Sequence, residues 1–355
     1  MKDLIEKSKD ILYDCCLENG SIVAANSDRI DYPKDVQNYR YVWPRDVSFT
    51  CFAFNIFEEK KKQKLFFEWL YDRCEDVKEK KLIYQNYYPN GRKRWGNFQP
   101  DQQGSILFAI YNWSDKNLEK IKQNKKINNL VNILADGLCS VWQKNKFILQ
   151  TQDLWEERFT YPEFKQNNTY ALCACFSGLN SIGKLYKNDK WIKTSIQIKE
   201  TINNSFNGNF FMRRFGENND LCIDASLLGL LWPFSVVDLN DDRFKKTINL
   251  IQKKLVKNYG VYRYQFDDYD GFSFQGTHAR RGAGYWPLLN FWMAIVLNKM
   301  NKKNESLKYF NKVINDIENN LIPEQIFENK KQVSIKPLAW SHAMFLIAVK
   351  ELKLY

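Results

Sequence analysis

Residues 284–297 read GYWPLLNFWMAIVL and residues 304–320 read NESLKYFNKVINDIENN. The first segment is apolar almost all round, so a helix there needs neighbours on most of its surface. The second carries one apolar stripe and a Lys/Glu-rich face, the pattern of a helix with one side in water. The same pair recurs along the chain. VSFTCFAFNIF (47–57), YALCACFSGL (170–179) and SLLGLLW (226–232) are apolar throughout, whereas DDRFKKTINLIQKKLV (241–256) is amphipathic. The periodicity predicts twelve helices, over Lys2–Glu18, Asp46–Phe57, Lys64–Lys80, Asp101–Asn112, Asn128–Asn145, Thr169–Tyr186, Lys190–Phe206, Cys222–Val236, Asp241–Val256, Gly284–Met300, Asn304–Asn320 and Pro337–Leu354. Polar-faced and apolar helices alternate six times. An all-α, closed (α/α)6 toroid of six inner and six outer helices satisfies this pattern, and so does an open two-layer solenoid of helix pairs.

The connections are unequal. The apolar helices are entered by long loops rich in aromatic and charged residues: NYRYVWPRD (38–46), RKRWGNFQPDQQ (92–103), TQDLWEERFTYPEFKQNN (151–168), VYRYQFDDYDGFSFQGTHARRGAGYW (261–286) and LIPEQIFENKKQVSIKP (321–337). The outer helices are entered by short polar turns. The long loops therefore gather at one end, at the N-termini of the inner helices, where binding and catalysis are expected. No linker or break in composition divides residues 1–355, which read as one domain.

With 355 residues and 44% hydrophobic content the chain can bury a large core, and 15 Gly with 9 Pro argue against a turn-rich all-β protein. The net charge of +12 is spread over the polar helix faces, and no nucleic-acid-binding signature accompanies it. No apolar run reaches membrane-span length, and MKDLIEKSKDILYDCC (1–16) lacks the apolar core of a signal peptide, so a cytoplasmic protein is expected. The eight Cys form no C-x-x-C pair and read as reduced core thiols. With only His278 and His342 as histidines, a His-rich metal centre is not expected; no metal or cofactor is assigned.

The long loops hold Tyr39, Tyr41, Trp43, Trp95, Trp155, Tyr264 and Trp286 beside Arg45, Asp46, Asp101, Glu156, Glu157, Arg263, Asp267 and Glu324. Rings that pack against the C–H faces of a pyranose, with carboxylates and Arg for its hydroxyls, make a sugar site. Paired carboxylates supply the chemistry of glycosidic bonds. No Ser nucleophile elbow or phosphate-binding Gly loop competes with them.

In chain order, NYRYVWPRD, RWGNFQPDQQG, DLWEERFTYP, RYQFDDY, PEQ and LAWSHA resemble glycoside hydrolase family 15, the family of glucoamylases, glucodextranases and some trehalases. The resemblance runs from residue 38 to residue 343 and concerns the catalytic domain only. It implies an (α/α)6 toroid and an exo-acting, inverting α-glucosidase that releases β-glucose from non-reducing ends of α-glucans or maltooligosaccharides. It implies Glu156 as general acid and Glu324 as general base. Tyr39, Trp43, Arg45, Asp46, Trp95, Trp155, Glu157, Arg263 and Trp340 would then contact the substrate. The segment GFSFQGTHARRGAGYW (271–286) departs from the family's shorter loop and leaves the linkage open. Trehalase and α-1,6-glucosidase stand as alternatives on the same fold. A non-catalytic glucan-binding or regulatory domain and a helical-repeat scaffold are alternatives of other classes. His342 reads as a core residue.

Overall fold

The computed structural model describes residues 1–271, 282–329 and 332–354. Thirteen helices form among them: α1 (Lys2–Asp14), α2 (Pro44–Ile56), α3 (Lys60–Arg73), α4 (Val77–Lys80), α5 (Pro100–Trp113), α6 (Leu118–Lys122), α7 (Lys125–Val141), α8 (Thr169–Tyr186), α9 (Asp189–Asn203), α10 (Asp242–Leu255), α11 (Pro287–Lys299), α12 (Lys303–Asp316) and α13 (Ala339–Glu351). Their burial follows the patterning. Every residue from Pro287 to Leu297 in α11 and from Ala339 to Val349 in α13 is buried. In α10 only Phe244, Thr247, Ile248, Ile251 and Leu255 are, one stripe at helical spacing.

The ring closes. α2 packs on α5, α5 on α8, α8 on a 3-10 segment at Ala225–Leu230, that segment on α11, α11 on α13, and α13 back on α2. The contact between α13 and α2 rules out the open solenoid. α3, α7, α9, α10, α12 and α1 lie outside, each against one or two inner elements. α5 and α8 approach backbone to backbone where Gly104 faces Gly178. A Cβ on Gly178 would sit 2.3 Å from the Gly104 carbonyl oxygen, and one on Gly104 2.5 Å from the Ala174 carbonyl carbon. Only glycine permits this crossing.

Helix starts differ between the layers. Outer α7, α9 and α10 are capped by the side chains of Asn124, Asn188 and Asp241. Inner α2, α5 and α11 begin with Pro44, Pro100 and Pro287, whose missing N–H and fixed φ suit the first turn, and they carry no side-chain cap. In α2 the Arg45 N–H is instead taken by Gln102 Oε1 of α5, at 2.5 Å.

One expected helix is corrected. Cys222–Val236 forms only the 3-10 segment Ala225–Leu230, followed by turns. Asp224 caps it, donating no proton but accepting from the Ser226 N–H at 2.7 Å. Pro233 lacks the N–H that would continue the ladder, and Ser235 takes a left-handed φ of 50°. The apolar run reported burial correctly, since Ala225–Leu231 is buried throughout; burial alone does not choose the helix type. The helix expected over Lys64–Lys80 breaks after Arg73, where Cys74 is extended and Asp76 left-handed. The one expected over Asn128–Asn145 ends at Val141, where Trp142–Gln143 turns back to pair with Lys146–Phe147.

Candidate active site

The long loops meet at the N-terminal end of the inner ring around a cavity of about 240 Å³. Tyr39, Trp43, Arg45, Asp46, Trp95, Trp155, Glu156, Glu157, Arg263, Glu324 and Trp340 all line it. Arg45 and Asp46 project from the first turn of α2, and Trp340 from that of α13. Trp95 stands on the hairpin strand Lys93–Phe98 at the rim, 39% exposed. The rings touch in sequence. Centroid distances are 5.2 Å for Tyr39–Trp43, 6.4 Å for Trp43–Trp95 and 5.6 Å for Trp155–Trp286.

Glu156 sits in a turn closed by the two-residue strands Thr151–Gln152 and Phe159–Thr160. Asp153 builds this turn: its Oδ1 accepts the N–H groups of Glu157 and Arg158, each at 2.9 Å, and its carbonyl accepts from the Glu156 N–H at 3.1 Å. Gln152 Nε2 donates to the Glu156 carbonyl at 2.7 Å. So held, Glu156 takes a φ of 65°, a left-handed conformation costing about 1 kcal/mol for a residue with a Cβ. Trp43 Nε1 donates to its Oε1 at 2.8 Å, and Arg45 and Gln99 nitrogens lie 3.5 Å from the same oxygen. These cationic and polar donors stabilise the carboxylate, but burial outweighs them and raises the pKa above the usual range. The Gln85 side chain is a further donor to the same carboxylate. Trp155 donates its Nε1 to Asp224 at 3.0 Å, and the indole that hydrogen-bonds Glu156 is Trp43.

Glu324 lies at a bend in an irregular segment held by backbone bonds, its N–H donating to the Ile335 carbonyl at 2.8 Å. Its Oε2 is 3.5 Å from Ser334 Oγ. Nearby, the hydroxyls of Tyr39 and Tyr269 lie 2.9 Å apart. Burial raises its pKa from 4.5 to about 7; Arg263 and the Tyr39 hydroxyl oppose the shift and Asp46 adds to it. Asp46 itself is raised to about 7, again chiefly by burial, with Arg45 opposing.

Four lining carboxylates, Asp46, Glu156, Glu157 and Glu324, face two lining guanidiniums, Arg45 and Arg263. Both guanidiniums are further engaged by buried carboxylates outside the lining: Arg45 by Asp101 at 3.2 Å, Arg263 by Asp267 at 2.7 Å. Negative charge in excess and burial together retain protons on the cluster near neutral pH. Arg263 is also enclosed by the rings of Trp155, Tyr264, Tyr269 and Trp286, 4.8–5.3 Å from their centroids, and reaches Glu157 at 3.1 Å. Tyr264 hydrogen-bonds Glu157 as well. Asp46 Oδ1, Trp286 Nε1 and Trp340 Nε1 are buried without a hydrogen-bond partner among the described residues. They are directional groups suited to ligand hydroxyls. Asp46 and Arg45 are both buried in the first turn of α2.

The cavity also includes Trp286, one of the loop aromatics expected there, and Gln37, Gln85, Leu154, Tyr269 and Leu338, to which no role attaches from the sequence. Tyr269 and Trp286 lie within quoted motifs or loops, but nothing local marks which of their neighbours face inward. His342 is fully buried in α13, away from the lining. His278 and most of the atypical loop 271–286 lie outside the described residues.

A buried, aromatic-walled cleft with paired carboxylates at the N-terminal end of a helical toroid is the site of a glycosidase-type protein. The profile of glycosyl hydrolases family 15 matches residues 15–350, and the chain belongs to that family. It is 31% identical over 354 residues to an uncharacterized glycosyl hydrolase of Methanocaldococcus jannaschii, covering 95% of this chain and 54% of that protein. It is 26% identical over 362 residues to trehalase 1 of Sulfolobus acidocaldarius, covering 94% and 60% respectively. The chain thus spans little more than half the length of these relatives. Among solved structures, a bacterial glucoamylase complexed with acarbose superposes with a TM-score of 0.76 at 19% identity, over 98% of this chain and 55% of that one, a likeness of fold.

Proposed function

We propose that the chain is an exo-acting, inverting α-glucosidase of the glucoamylase type, with Glu156 as general acid and Glu324 as general base. The observation that carries this is the gathering of both glutamates, with Arg45, Asp46 and the aromatic wall, in one cavity closed at its base by the inner helices. An exo mode of attack is the expectation for a site of this family, in which a chain end would enter. Asp46, Arg45 and Trp340 would hold the terminal glucose, with Tyr39 and Trp43 against its ring.

In the proposed reaction, Glu156 gives its proton to the glycosidic oxygen as the C1–O bond breaks. A water molecule attacks C1 from the opposite face while the Glu324 carboxylate takes its proton. Glucose leaves as the β-anomer. Glu156 is left ionised and Glu324 protonated, and exchange with solvent resets both. Glu157, paired with Arg263 and Tyr264, would face the leaving sugar. A second reading, trehalose as substrate, is favoured by the similarity to the S. acidocaldarius trehalase.

The test is glucose release from maltose, maltooligosaccharides, isomaltose and trehalose, with the product anomer followed by NMR. Glu156→Gln and Glu324→Gln should each lose about 10²–10⁴-fold in kcat. The preferred sugar decides the linkage. Retention at the attacked carbon, read as α-glucose formed first from the non-reducing end of a maltooligosaccharide, or full activity in either variant, would sink the assignment; from trehalose, inversion gives one β- and one α-glucose. No release by folded wild type would favour a glucan-binding role.

A further inference from the structure

The backbone just before Glu324 is held from one place. The Ile322 N–H donates to His342 Nε2 at 3.0 Å. The Ile322 carbonyl accepts from the Leu338 N–H at 3.0 Å. The Pro323 carbonyl accepts from Ser341 Oγ at 2.8 Å. Proline brings no N–H of its own, so these bonds and the Glu324–Ile335 contact satisfy the segment's backbone up to the glutamate. On its other side His342 meets Ser8 Oγ of α1 through Nδ1, at 2.9 Å. Because Nε2 accepts, the ring's single proton belongs on Nδ1 and is directed at Ser8. Protonating Nε2 would set two N–H groups against each other. Burial agrees, lowering the histidine pKa to about 3.

We infer that His342, oriented by Ser8 and assisted by Ser341, is a positioning residue that sets the place of the Glu324 carboxylate without touching substrate. The inference rests on the reading of Glu324 as general base. An apolar core residue would fill the same volume, but it could not accept the Ile322 N–H. The segment would then shift to find another acceptor, and Glu324 with it. A displacement of about 1 Å in a catalytic group costs up to about 100-fold in rate, whereas the ground-state contacts made by α2 and its loop would persist.

The experiment compares His342→Leu and His342→Gln with wild type, using the glucoside that wild type cleaves fastest. Gln can present an acceptor oxygen near the Nε2 position. We expect His342→Leu to lower kcat about 10- to 100-fold with KM unchanged, and His342→Gln to recover most of the loss. Circular dichroism and melting verify the fold. A folded His342→Leu with wild-type kcat overturns the inference, as does a His342→Gln as impaired as the leucine variant. Should His342→Leu fail to fold, Ser341→Ala decides: a fall in kcat at constant KM supports the positioning role, and unchanged kcat removes it. These failures differ from failure of the proposed function, in which wild type itself releases no glucose.

Discussion

Replacing Glu324 by Gln should make the protein more stable while it abolishes turnover, and the gain should depend on pH in a defined way. Burial raises the Glu324 pKa from 4.5 to about 7. The folded state therefore binds the proton more tightly than the unfolded chain does. A carboxyl with a raised folded pKa costs nothing below pH 4.5, where both states are protonated. Its cost grows between pH 4.5 and 7 as the unfolded chain gives up the proton first, and levels off above 7. For this shift the cost is about 1 kcal/mol at pH 5 and about 3 kcal/mol at pH 8. Gln keeps the shape and cannot ionise, so this cost disappears. Unfolding free energy from urea titrations at pH 5, 6, 7 and 8 should show the variant's advantage over wild type growing by roughly 2 kcal/mol across that range. Asp46, also raised to about 7, remains in both proteins and contributes a slope of its own. An advantage independent of pH, or one that shrinks as pH rises, would refute the claim that burial of an ionisable group is the source.

Three further outcomes follow from particular contacts. Trp43→Phe removes the 2.8 Å donor that favours ionised Glu156, so the alkaline limb of the kcat/KM profile should move to higher pH; movement to lower pH would contradict the role of Trp43. Arg45→Lys replaces a planar cation that meets Asp101 at 3.2 Å, Gln99 at 3.3 Å and Glu156 at 3.5 Å. A lysine cannot make these contacts together, so kcat/KM should fall by about 10- to 100-fold, and steady-state kinetics within twofold of wild type would exclude this reading. Gly178→Ala puts a Cβ 2.3 Å from the Gly104 carbonyl and should destabilise the fold by about 1–3 kcal/mol or more, read as a lower melting temperature; an unchanged melting temperature would mean that α5 and α8 can separate freely.

The toroid was legible because burial is written locally: a helix buried all round and a helix buried on one stripe differ within a dozen residues, and their alternation implies two layers. Closure was not written locally, since it depends on α13 reaching α2 across the length of the chain. The same division runs through the cavity. Arg45 and Asp46 could be read together because they are neighbours in the first turn of α2, just after the proline that starts it. Trp43 and Glu156 are 113 residues apart, and nothing in either loop specifies that one indole rather than Trp155 meets Glu156. That choice is made when the ring closes and Asp153 forces Glu156 into its left-handed turn. His342 shows the limit from the other direction. A lone histidine on an apolar helix reads as a core residue, and it is one. Its meaning arises from its partners, Ser8 and Ile322, which lie 334 and 20 residues away. A core position thereby holds the backbone of a three-residue loop motif, Pro323-Glu324-Gln325, that by itself identifies very little. The short motif takes its geometry from α13, so the LAWSHA segment and the PEQ segment are physically one unit: Trp340 lines the cavity while Ser341 and His342 hold the chain that delivers the glutamate to it.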